Sequence, residues 1–137
     1  MFETMKIIHM LGLMGGGAAM IGNGLLMKRV MSAGAPPPDM VASTMRVLGF
    51  VGLASIVLLW LTGIVMTLQL GVAFDASYLI KLIGAAVVLG AVSTMSIHSA
   101  NAAKAGGPPN FQLMKRMASF ARIGVLVAII FAVLVFN

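Results

Sequence analysis

A chain of 137 residues that is 61% hydrophobic and 9% charged, with a mean hydropathy of +1.09, excludes an ordinary water-soluble domain. The absence of cysteine excludes disulfides, thiolate metal sites and iron–sulfur clusters. The net charge of +6 would point to nucleic acid in a soluble protein, but here the cations border apolar runs and set orientation first; nucleic-acid binding is not expected.

Four runs, 7–27, 47–68, 78–103 and 117–136, reach the roughly 20 residues needed to cross a ~30 Å hydrocarbon core. Each is continuous rather than alternating, which selects helices over barrel strands. The expected fold is all-α: a four-helix integral membrane bundle forming a single domain over residues 1–137. Lys28, Arg29 and Arg46 flank the first connection, and Lys104, Lys115, Arg116 and Arg122 the third, whereas the second holds only Asp75. The positive-inside rule then places both termini on the outer side of the membrane, expected to be a bacterial inner (cytoplasmic) membrane.

The opening Met1 to Lys6 with its following apolar run faintly imitates a secretory signal peptide. Glu3 weakens the positive start, and cleavage would remove His9 and leave three spans, so the segment is expected to remain as span one. That span carries His9, Gly12, Gly16 and Asn23 at offsets of 3, 4 and 7, which form one helical face. The face presents one imidazole above a stripe with almost no side-chain bulk. Such a stripe admits a neighbouring backbone or a planar ligand, and plain helix packing is the competing reading. Asn23 needs a partner, most simply on a neighbouring helix. Pro36, Pro37 and Pro38 make the first basic connection an extended turn.

Span two has Gly49, Gly52 and Ser55 on a small side. Trp60, the single tryptophan, lies ~12 Å of helix rise from Leu68. That is deeper than an interfacial belt, so its indole either edges a cofactor or packs in the core. Tyr78 opens span three as an interfacial anchor. Lys81 follows inside the apolar run, where it must snorkel or meet an anion. Lys81, Gly84, Val88, Ala91, Met95 and His98 share a 3-4-3-4-3 seam, a second face of functional appearance. Gly106, Gly107, Pro108 and Pro109 end that helix. Span four is nearly all aliphatic from Ile123 onward and is expected to face lipid.

Helix rise sets the depths. His9 lies ~3 Å below the start of its run, Lys81 ~5 Å and His98 ~30 Å, so two histidines cannot share one haem within a protomer unless the helices tilt heavily. His9 is the candidate axial ligand and metal donor. Lys81 is the opposite ligand or the cation for a propionate, and His98 belongs to a separate inner site or is structural. Met10 and Met14 offer soft ligands for haem or copper, but no Met-x-Met cluster builds a copper path.

These residues carry a resemblance. Ile8-His9-Met10-Leu11-Gly12 leading to Lys28-Arg29, Met45-Arg46, the Trp60-Leu61-Thr62-Gly63 stretch, and Tyr78-Leu79-Ile80-Lys81-Leu82 leading to His98 are similar to the HemJ-type protoporphyrinogen oxidases and related CopD-like small four-span membrane proteins. The resemblance implies a b-type haem and a functional pair of early histidine and span-three lysine, here His9 and Lys81, with protoporphyrinogen-oxidase-like redox activity. The chain departs from that pattern in having no histidine in the first basic loop and in following Arg122 with Ile123 and Gly124.

The expected function is therefore haem b or porphyrin binding near the outer leaflet, in electron transfer or porphyrin oxidation. His9 and Lys81 would be catalytic, and His9, Gly12, Gly16, Trp60, Lys81 and Met95 would surround the cofactor. Expected partners are the lipid bilayer, further copies or a larger membrane complex, and a porphyrin or redox partner. The alternative is a non-catalytic accessory or assembly subunit whose glycine stripes dock helices. A proton-coupled transporter lacks the mid-span carboxylate it would need.

Overall fold

The computed structural model describes residues 2–71 and 76–136, and these form α1 (Phe2–Ala33), α2 (Asp39–Leu70), α3 (Ala76–Lys104) and α4 (Phe111–Phe136). All four helices are long and apolar enough to cross a membrane, so the chain is a multi-pass, all-helical bundle. Asp75, the acidic residue of the second connection, lies outside the described residues. At 32 residues each, α1 and α2 run ~48 Å, so they outreach the ~30 Å hydrocarbon core and place Lys28 and Arg29, both exposed, at its border.

Three helices stop on glycine. Gly34, Gly71 and Gly106 have φ of 62°, 59° and 71°, the left-handed region in which a side chain would clash. Gly71 N–H donates to Thr67 O. Gly106 N–H donates to Ala103 O at 3.2 Å and Gly107 N–H to Ala102 O at 3.1 Å, the paired bonds of a Schellman ending. After Gly34 the prolines carry the chain to Asp39, and Pro38 O accepts the first α2 bond from Ala42 N at 3.0 Å.

The bundle consists of two tight antiparallel hairpins. In the first, positions 9, 12, 16, 19 and 22 of α1 meet positions 62, 59, 55, 52 and 48 of α2, so each step of three or four residues is matched on the returning helix. In the second, Gly84 of α3 and Gly124 of α4 cross backbone to backbone. A Cβ on Gly124 would lie 2.8 Å from Gly84 O, and one on Gly84 would lie 3.0 Å from Gly124 O. Contact between the hairpins runs mainly through α2 and α3; α1 and α4 barely touch, and α1 and α3 sit diagonally without close backbone approach among the described residues.

The interior is built from small residues: Ala19, Ala91, Ala121, Gly12, Gly84 and Gly124 are buried, whereas Ile7, Leu11, Met14, Phe50, Leu61, Ile83 and Leu126 point outward. In lipid no hydrophobic drive pulls large side chains inward, so close backbone approach and dispersion hold the helices together. Two expectations are corrected here. The Gly84–Val88–Ala91 part of the α3 seam is a packing surface against α4, and α4 beyond Ile123 does not face only lipid, because Gly124 is buried against Gly84 and Val88.

Candidate functional site at the terminal end of the bundle

Three helices contribute polar groups at the end that carries the N-terminus and the α2–α3 connection. His9 of α1 is half-buried, and its Nδ1 lies 2.8 Å from Thr62 Oγ1 on α2. The Thr62 hydroxyl lies 2.7 Å from Leu58 O, one turn back, and donates its single proton there. With that proton committed to Leu58 O, the hydroxyl oxygen remains to accept, an arrangement that favours the His9 tautomer with its proton on Nδ1 and its lone pair on Nε2. Thr62 is only 4% exposed, and Gly63 beside it leaves the ring room: a Cβ there would come 3.9 Å from His9 Cε1.

The polar strip continues across α2. Thr67 Oγ1 donates to Gly63 O at 2.8 Å and accepts from Tyr78 Oη of α3 at 3.1 Å. Tyr78, 4% exposed, holds its ring 5.7 Å from Lys81 Nζ, a cation–π distance. An imidazole and an ammonium thus occupy the same end of the diagonal pair α1 and α3, with two threonines of α2 and one tyrosine between them.

The remaining candidates separate. The space before Gly12 is filled by Leu59, whose Cδ2 would lie 3.2 Å from an added Cβ, and the space before Gly16 by Ser55, whose Cβ would lie at 3.3 Å. The stripe is occupied by α2 and leaves no slot for a planar ligand between these helices. Trp60 is half-buried on the stripe of α2 that includes Thr67 two turns on, and its Nε1 is buried with no hydrogen-bond partner among the described residues. Asn23 Oδ1 is likewise buried and unpartnered. Met95 lies 14 residues beyond Lys81, ~21 Å down α3, and does not join the strip.

His98 has a structural role at the opposite end. Its Nε2 accepts the backbone N–H of Asn110 at 2.9 Å, and Asn110 Oδ1 in turn accepts from Gln112 N at 3.1 Å and Leu113 N at 3.2 Å, which caps α4. Among the described residues, a surface groove along α2 is lined by Phe50, Val57 and Leu61 and another by Met31 of α1 and residues of α4; His9 lines neither. Among the described residues no three of His, Asp or Glu converge.

From the sequence, Thr62 stands out only as a member of the Trp60–Gly63 stretch, and Thr67 and Asn110 do not stand out at all. The available signal for Thr62 was the series Gly52, Ser55, Leu59, Thr62, whose 3-4-3 steps mirror those of the His9 face on the antiparallel partner.

No family model, no curated protein and no solved structure matches the chain.

Proposed function

We propose that the protein binds a b-type haem or related porphyrin at the terminal end of the bundle, in the outer leaflet of an inner membrane with both termini outward, and serves electron transfer or porphyrin oxidation. One observation carries this reading: the 2.8 Å contact of His9 Nδ1 with Thr62 Oγ1, whose own proton goes to Leu58 O, favours a proton on Nδ1 and would leave Nε2 as the neutral nitrogen donor an axial imidazole requires. The sequence resemblance of the stretches around His9 and Lys81 to HemJ-type proteins supports it.

His9 supplies one donor, Lys81 supplies a cation suited to a carboxylate, and Trp60 supplies an indole N–H in need of an acceptor. Gly12 and Gly16 take no part, because α2 covers them. When bound, the group would supply one-electron chemistry. The chain's own residues would hold the imidazole tautomer through Thr62, steady the ammonium over Tyr78, and exclude water behind the buried threonines.

Purified protein titrated with haem tests the reading. A saturable Soret band that the His9→Ala variant lacks supports it, and no binding by the unaltered protein refutes it.

The covered glycine stripe favours a second reading, an accessory or assembly subunit of a larger membrane complex or an oligomer, because its small residues are spent on helix contact. Stoichiometric co-purification with larger subunits, unaffected by His9→Ala, would select it.

A further inference from the structure

Between the last turns of α1 and the first turns of α4 lies an open groove of about 830 Å³. Lys115 and Arg116 line it, together with the Gln112 amide and the Ser119 hydroxyl, and no carboxylate does. Neither cation forms a salt bridge among the described residues, where the single such bridge joins Lys6 to Glu3. Both are exposed.

Inward along α4 from the cations the lining holds Met117, the Ser119 hydroxyl and Phe120, which is 53% exposed, while Met31, past Lys28 and Arg29 toward the end of α1, lines the groove from the other helix. The change from charge to hydrocarbon occurs within about two helical turns, ~10 Å, at the start of the apolar run of α4. That sequence of environments matches a phospholipid: an anionic headgroup at the border, acyl chains beneath. A guanidinium presents paired donors to phosphate oxygens, and a neighbouring lysine adds a mobile charge. Basic recesses between membrane helices take headgroups in this way.

We propose that this groove is a binding site for an anionic phospholipid, with Lys115 and Arg116 on the headgroup phosphate and Met117 and Phe120 along the acyl chains. A lipid seated there would touch Met31 of the first hairpin and α4 of the second. The inference is independent of what His9 binds.

Protein equilibrated in mild detergent with equal amounts of phosphatidylglycerol and phosphatidylcholine, then purified, tests it by mass spectrometry of the retained lipid. The unaltered protein should be enriched in phosphatidylglycerol. Lys115→Gln and Arg116→Gln should each lower the enrichment about fivefold, the effect of one interfacial cation. Lys28→Gln with Arg29→Gln, outside the groove, should leave it unchanged. Phe120→Ala should lower retention of both lipids without changing their ratio.

Absence of enrichment in the unaltered protein overturns the proposal, whatever the variants do. So does equal loss in the Lys28/Arg29 pair, which would mark general surface charge. Displacement of the lipid by inorganic phosphate also overturns it, because the acyl chains would then contribute nothing.

Discussion

Gly84 and Gly124 meet backbone to backbone across α3 and α4, with a Cβ on Gly124 destined to lie 2.8 Å from Gly84 O and 2.9 Å from Val88 Cγ2. A carbonyl oxygen cannot rotate aside as a side chain can, so the two helices would have to separate. Gly124→Ala should therefore destabilise the bundle by about 1–3 kcal/mol, the usual range for overpacking. Gly90→Ala, on the same helix as Gly84 with nothing within 4 Å, is the control. It should be neutral or stabilise by about 0.5–1 kcal/mol from helix propensity alone. Unfolding of the detergent-solubilised variants measures both.

His9 and Thr62 form the second testable pair. Thr62→Val keeps the shape and removes the oxygen that accepts from Nδ1. Membrane hydrogen bonds of this kind average ~0.6 kcal/mol, so stability should fall little. The tautomer should respond far more: nitrogen NMR of labelled His9 should report a protonated Nδ1 in the unaltered protein and in Thr62→Ser, and a mixture of tautomers in Thr62→Val.

Tyr78 joins α3 to α2 through Thr67 and also lies under Lys81. Tyr78→Phe should lose the hydroxyl contact alone, about 0.6 kcal/mol. Tyr78→Ala loses that contact, the ring beneath Lys81 and a buried aromatic volume, and should cost about 3–5 kcal/mol. Thermal unfolding of the two variants should show this wide separation; equal shifts would mean that the ring contributes nothing.

At the other end, Asn110 is held by His98 and caps α4. Asn110→Ala should cost about 1 kcal/mol, the usual loss of an N-cap. His98→Ala removes the acceptor for one backbone N–H, and hydrogen exchange at the Asn110 amide should accelerate while the centres of the spans remain protected.

The four spans were legible in the sequence because a ~30 Å slab demands long apolar runs and little else. The helix stop at Gly106 and Gly107 followed from glycine chemistry. The meaning of the small-residue faces was not legible. A stripe such as Gly12–Gly16 offers the same emptiness to a ligand and to a neighbouring helix, and only the opposing stripe Ser55–Leu59–Thr62 decides between them. Likewise, the aliphatic composition of α4 concealed Ala121 and Gly124, because near-uniform hydrophobicity gives no inward direction. His98 was ambiguous until Asn110, twelve residues on, supplied its donor.

The central claim is that His9 offers Nε2 to a haem iron. The most direct test replaces His9 by Gly, adds haem to the purified variant, and supplies free imidazole as a substitute ligand. The account predicts a Soret band for the unaltered protein, its loss in His9→Gly, and its recovery on adding imidazole. A protein that gives no such band, or one whose band is indifferent to His9→Gly, contradicts it.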